Sequence, residues 1–304
     1  GKSEQDAQGI TRSVQAEINH PIYLTKRAGM ILIGENLNIT SKKVGEALKN
    51  KDRKIIREVS EAQAKAGMDM LDINIGPAPK SGPEIMDWVV RPVRDVRDLS
   101  LSLDTTNIEA IKAGLQVHEG RALINSISAR PERMAALMPL AKKYNASFVG
   151  LTLGVEGFPR DANERGLFAA QIIAEAAKYD ISEEDIWLDP ITPPIKSQQL
   201  QIQGCTEFAM MLQEAFPNCK SIYGGSNISN GVPRVLRGIL NRTYLIMLKR
   251  FGMYSAIVDA FDSELKVIAK GLRPDLETIV YKEMDGEPLD NSALSEEEAQ
   301  YVKT

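Results

Sequence analysis

Histidine and cysteine are nearly missing from this chain, with two of each among 304 residues. Cys205 and Cys219 form no CxxC pair, and two thiols in a chain of this length make no disulfide framework, so a reducing cytoplasm is the expected compartment. His20 and His118 stand far apart with no cysteine beside them, which speaks against a metal centre and leaves both as packing or surface residues. No apolar run approaches the roughly 20 residues that span a bilayer, and the N-terminus lacks the apolar core of a signal peptide, so no membrane association is expected. Charge of one sign is scarce too. The formal net charge is −4 and basic residues are scattered among acidic ones, which gives no footprint for nucleic acid.

What is present is apolar material for a large core, at 43% hydrophobic and 26% charged residues, in one barrel-sized domain or two smaller ones of a soluble globular protein. Residues 1–29 are polar and weakly patterned, and Gly1-Lys2-Ser3 resembles a cloning remnant, so the fold proper is expected to begin at Met30. From there a short apolar strand alternates with an amphipathic helix. Strands are expected at 31–36, 70–76, 101–104, 122–126, 147–153, 186–190, the approach to Gly224, and 255–259. Helices are expected at about 52–66, closed by Gly67, then 84–98, a helix opened by Asn107 that ends near Gly114, 131–143, 166–179, 197–215, 238–251 and 262–271. Eight continuous apolar strands alternating with eight helices predict an α/β fold of the (β/α)8 TIM-barrel type over 30–271. A doubly wound sheet is the alternative, but its glycine-rich dinucleotide turn is missing. The acidic tail, 272–304, is expected to add one or two surface helices.

The chain is organised around Ile222-Tyr223-Gly224-Gly225-Ser226-Asn227-Ile228-Ser229-Asn230. A buried strand runs into two glycines and then a polar pair, presenting Asn227 where backbone can approach a ligand closely, and Asn227 is the candidate reactive centre. Barrel chemistry sits at the C-terminal ends of strands. Those ends carry Glu35 and Asn36, Asp72 and Asn74, Asp104 and Asn107, Asn125, Asp189, Asn227 and Asp259. Each alone reads as readily as a helix cap. Together they form a ring of acids and amides without histidine or reactive cysteine, which disfavours triad, Schiff-base and zinc chemistry. Such a ring suits the donor-rich edge of a flat heterocycle, a pterin or a purine.

Gly34-Glu35-Asn36-Leu37-Asn38, Leu71-Asp72-Ile73-Asn74-Ile75-Gly76-Pro77, Ser102-Leu103-Asp104-Thr105-Thr106-Asn107, Ile124-Asn125-Ser126, Leu188-Asp189-Pro190 and Gly225-Ser226-Asn227-Ile228-Ser229 occur in that order. In these motifs the chain resembles the pterin-binding methyltransferases, which share the dihydropteroate synthase-like barrel. Within them it is similar to the methyltetrahydrofolate:corrinoid protein methyltransferases of acetogenic or O-demethylase type. The resemblance implies that Asp104, Asn125 and Asp189 hold the pterin of tetrahydrofolate, with Asp72 supporting them, Ile257 lining the pocket and Asn227 hydrogen-bonding N5. It further implies that Asn230 and Arg237 face the corrinoid, that the protein serves one-carbon metabolism, and that it is a homodimer. No Asp-x-His-x-x-Gly corrinoid signature is present at His20 or His118, so the cobalamin is expected on a separate protein that docks over the barrel mouth. Two rivals remain open. Dihydropteroate synthase would carry a lysine at the end of strand seven and a Ser-Arg motif beyond it. A non-catalytic folate-binding barrel would keep the pocket alone.

Overall fold

The computed structural model describes residues 29–96 and 99–304; the expected leader up to residue 28, His20 within it, and the last two residues of the helix expected at 84–98 lie outside them. Eight parallel strands close in chain order: β1 (Ile31–Asn38), β2 (Met70–Asn74), β3 (Ser100–Asp104), β4 (Leu123–Ser128), β5 (Ser147–Leu151), β6 (Ile186–Asp189), β7 (Lys220–Gly224) and β8 (Ser255–Val258). β8 returns to β1 through Ile31 opposite Ser255 and Ile33 opposite Ile257, so the sheet has no free edge.

Alternation along each strand divides the core in two. Ile31, Ile33, Met70, Leu123, Val149, Trp187 and Ile222 meet inside the barrel, with Tyr254 and Ile257 packed against them. Their neighbours Leu32, Leu71, Ile124, Phe148, Leu188 and Tyr223 face outward into the helical layer. Trp187 and Tyr254 meet edge to face at 5.4 Å between centroids, a geometry that aligns ring edge with ring face.

The helical layer comprises α1 (Lys42–Asn50), α2 (Arg53–Lys65), α3 (Gly82–Arg94), α4 (Ile108–Val117), α5 (Pro131–Lys143), α6 (Ala162–Ala177), α7 (Gln199–Ala215), α8 (Arg234–Arg250) and α9 (Ser263–Ala269), followed by α10 (Pro274–Met284) and α11 (Glu296–Val302). α5 has the bounds read from the sequence. α2 ends as expected: Gly67 takes φ +88°, its N–H reaches Ala64 O and that of Met68 reaches Gln63 O, a closure that side chains with a Cβ resist. α1 is unexpected, since the sequence predicts a single helix between β1 and β2. Val44, Ala47 and Leu48 recur at i, i+3 and i+4, the spacing of one helix face, and all three are buried, but in nine residues that pattern is too short to stand out in the sequence. α6 starts at Ala162 rather than 166 because the Asp161 carboxylate caps Glu164 N at 2.9 Å. α8 starts at Arg234 rather than 238; Pro233 precedes it, and Gly238 is carried inside. The two tail helices are docked, not merely superficial: Leu276, Val280 and Tyr301 are buried, and Arg250 donates to Tyr281 O at 3.0 Å.

Candidate functional site

Above the apolar floor of the barrel the inward positions turn polar. Asp72 on β2 is almost fully buried and accepts hydrogen bonds from Ser102 Oγ at 2.5 Å and Asn125 Nδ2 at 3.2 Å. On β3, Asp104 accepts from Asn74 Nδ2, and Asn74 Oδ1 in turn holds Gly76 N at 2.9 Å. Parallel registry puts Asn74 opposite Asp104 and Asp104 opposite Asn125, so three strands deliver these side chains to one patch. Burial raises the Asp72 carboxyl to about 6, against hydrogen bonds from Ser102, Asn125 and Asp104 that lower it. Burial first, and then the Asp72 charge, push Asp104 well above the carboxylate range. Both carboxyls therefore favour the protonated form more than a solvated acid does, Asp104 the more so because it also feels the Asp72 charge. Such a pair can accept from, or donate to, a heterocycle edge.

Asp189 ends β6 and accepts Ile191 N at 2.7 Å. Burial lifts its carboxyl to about 7, opposed by that N–H and by the Arg165 charge. Ile191 has φ +58°, a region a β-branched residue enters only under constraint, at a cost of about 1–3 kcal/mol. The constraint is Arg165, wholly buried in α6. Its Nε donates to Pro190 O at 2.8 Å, Nη1 to Asp161 O at 3.1 Å, and Nη2 to Gln201 Oε1 at 2.8 Å and Cys205 Sγ at 3.3 Å. Nothing in the sequence singled out Arg165; an arginine in the first turns of a helix reads as surface charge.

The third group stands where β7, β1 and β8 meet, around a cavity of about 670 Å³ whose walls include Glu35, Asn38, Ser226, Asn227, Asn230 and Arg237. Asn227 opens a 3-10 turn, Asn227–Ser229, and its carboxamide lies over Gly224, where an added Cβ would come within 2.6 Å of Nδ2. Among the described residues no side chain engages that carboxamide. Asn230 and Arg237 touch at the rim, Nη2 to Oδ1 at 3.4 Å, and Arg237 Nε also reaches Ser229 Oγ at 3.3 Å. Ile257 belongs to the inner floor, and its carbonyl accepts Gly225 N at 2.8 Å, fixing the start of the Asn227 turn. Glu35 receives the Ser226 hydroxyl and connects the two groups, because it lines the cavity and also feels the Asp72 charge.

The site residues read from the sequence thus fall into three sets: Asp72, Asp104 and Asn125 in one network, Asp189 on its own strained loop, and Asn227, Asn230 and Arg237 on the cavity. Asp72, Asp104, Asn125 and Asp189 are not among the cavity walls. Three members of the wider ring do structural work. Asn107 caps α4 through Ala110 N at 3.1 Å, while Asn36 ties Asp259 at 2.8 Å and Ala260 N at 2.9 Å, closing β1 onto β8. Among the described residues no group of three or more His, Cys, Asp or Glu is arranged to hold a metal ion.

A methylcorrinoid:tetrahydrofolate methyltransferase of Eubacterium limosum is 28% identical to this chain over 76% of it and 85% of its own length. Methionine synthases of Mycobacterium tuberculosis and Mycobacterium leprae are 28% and 26% identical over 77% and 79% of this chain, which spans only 20% and 21% of theirs. Among solved structures, dihydropteroate synthases of Stenotrophomonas maltophilia and Xanthomonas albilineans superpose with TM-scores of 0.64 and 0.63 at 16% and 17% identity, over 83% of this chain and 94% of each of theirs. At that identity the likeness is one of fold. The model of the family described as pterin binding enzyme matches residues 34–259, from the glycine before Glu35 to the acid after β8, so that every strand end described above lies within it, and the chain belongs to the pterin-binding enzyme family.

Proposed function

We propose that this protein moves a methyl group between N5 of tetrahydrofolate and the cobalt of a corrinoid carried by a separate protein. The observation that carries the reading is the carboxamide of Asn227, which lies over Gly224, is engaged by no side chain among the described residues, and belongs to a residue lining the cavity that Glu35 also lines. Asp104, Asn125 and Asp189, with Asp72 behind them, hold the pterin edge, and Ile257 lines the pocket. Asn227 meets N5; having no titrating group, it stabilises the protonated nitrogen and the transition state by hydrogen bonding alone. The same contact serves both directions of transfer. Asn230 and Arg237, at the rim, face the corrinoid of the docked partner.

The similarity to a methylcorrinoid:tetrahydrofolate methyltransferase over most of both chains supports this reading. Against a dihydropteroate synthase stands the end of β7, where Gly225-Ser226-Asn227 occupies the place of that enzyme's lysine. The proposal includes a homodimer that leaves the mouth open, a barrel over 30–271 with 272–304 as a helical tail, and a reducing cytoplasmic setting. Two free cysteines, and the absence among the described residues of a helix long and apolar enough to cross a membrane, accord with that setting.

Stopped-flow mixing of the protein with methylcob(III)alamin and tetrahydrofolate tests the reading. Folate-dependent loss of the methyl–cobalt absorbance is expected. Unchanged absorbance, with folate still bound by calorimetry, would make the barrel a binding module. Condensation of dihydropterin pyrophosphate with aminobenzoate would make it a synthase.

A further inference from the structure

We propose that Glu35 is the acid that exchanges a proton with N5, so that Asn227 orients the nitrogen and Glu35 charges it. The inference rests on the methyl-transfer reading and supplies what that reading lacks, since a carboxamide has no proton to give at neutral pH. An amine leaves carbon readily only when the departing pair ends on a nitrogen that already bears a proton.

The other buried acids are committed. Asp72 is engaged with Ser102 and Asn125, Asp104 with Asn74 and Asp189 with the Ile191 N–H, and none of the three is among the walls of the cavity that Asn227 lines. Glu35 takes one hydrogen bond, at Oε1 from Ser226, the residue next to Asn227. Its other oxygen takes none among the described residues, and it lines the same cavity as Asn227. The charged groups facing it are Asp259 beyond β8 and Asp72 on β2, which hold the proton on, and Arg237 on α8, which draws it off; Lys43 of α1 and Glu58 of α2 line the same cavity. Burial is the largest influence, and together these bring the Glu35 carboxyl to about 7, where proton donation and recovery are balanced near neutral pH.

In the direction from methyltetrahydrofolate, the Glu35 O–H passes its proton to N5. The electron pair of a Co(I) corrinoid forms the cobalt–carbon bond, and the carbon–nitrogen pair stays on N5. The products are tetrahydrofolate with N5–H, methyl-Co(III) and the Glu35 carboxylate, which recovers a proton from water. In reverse, the N5 pair forms the carbon–nitrogen bond, the cobalt–carbon pair returns to cobalt, and the carboxylate takes the surplus proton.

The test is single-turnover transfer from methyltetrahydrofolate to free cob(I)alamin between pH 5.5 and 9, in wild type, Glu35→Gln and Ser226→Ala. Wild type is expected to lose rate about tenfold per pH unit above a midpoint near 7. Glu35→Gln, which keeps the shape of the neutral acid, should be slower by about 100-fold or more at pH 6.5 and lose that midpoint, while folate affinity stays within a few fold. Ser226→Ala removes a contact that lowers the Glu35 proton affinity, so its midpoint should move to higher pH. A Glu35→Gln protein with the wild-type rate and midpoint, or an unmoved midpoint in Ser226→Ala, overturns the inference. Wild type without any methyl transfer would instead overturn the parent reading. Calorimetry of methyltetrahydrofolate binding in two buffers of different ionisation enthalpy then still judges Glu35: a proton exchange at pH 7 that Glu35→Gln abolishes supports it, and an identical exchange in both proteins overturns it.

Discussion

On the proposed reading, Asn227 is a single neutral side chain that hydrogen-bonds N5 and has no proton of its own to give. Removal of one preorganised donor typically costs about 3 kcal/mol of barrier, so Asn227→Ala should transfer methyl about 100-fold more slowly while binding folate within a few fold of wild type. Rapid-quench kinetics beside calorimetry separates the two effects, and a variant that kept its rate would remove Asn227 from N5. Gly224→Ala probes the same contact from below. Its new Cβ would sit within 2.6 Å of Asn227 Nδ2, so the carboxamide must swing away and the rate should fall comparably with little change in urea midpoint. Asp189→Asn should weaken folate binding through loss of a carboxylate acceptor, measured by calorimetry; unaltered affinity would place the pterin elsewhere. Asp189 was legible in the sequence as a strand-end acid, but the buried Arg165 that holds its loop was not. Only one of its four partners, the Asp161 carbonyl at the start of α6, is a sequence neighbour; the other three come from α7 and the loop between β6 and α7, 25 to 40 positions away.

Elements that carry their own signals behave as the sequence says. α5 begins with Pro131 in its first turn, and α2 ends on Gly67. Asp52 caps α2, accepting Lys54 N at 3.0 Å and Ile55 N at 3.3 Å, so Asp52→Ala should lower the free energy of unfolding by about 1 kcal/mol in a urea titration. Elements that depend on docking are hidden. α1 has helical spacing at Val44, Ala47 and Leu48, but three apolar residues in nine make a short signal, and so short a helix depends on burying that face. The same is true of the strand ends. β2 stops at Asn74 and β5 at Leu151, each two residues before its apolar run gives out, because pairing lasts only as long as the neighbouring strand continues.

For the molecule as a whole, a polar layer inside a closed barrel has a thermodynamic consequence. Burial raises Glu35 from 4.5 to about 7, Asp72 from 3.8 to about 6 and Asp189 from 3.8 to about 7. An acid with a raised folded-state pKa binds more protons folded than unfolded. Its contribution is fully present below the unfolded value and is lost as pH rises through the folded one. Stability should therefore fall between about pH 4 and pH 7, and a urea midpoint at pH 5.5 should exceed that at pH 8, with Asp189→Asn showing a smaller difference than wild type. A midpoint that rises over that interval would mean that these carboxyls are solvated. The sequence by itself determined the alternation of eight apolar strands with helices, hence the barrel, and it placed acids and amides at the strand ends, because period and polarity are properties of neighbours along the chain. Only the tertiary structure decided which of those residues meet. Closure with a fixed register brings Ser226 onto Glu35 across 191 positions, sets Asp72 near enough to Asp104 for its charge to raise that carboxyl, and leaves Asn107 as a helix cap. Proximity of that kind follows from the shear and curvature of a closed sheet, which no local window of sequence contains.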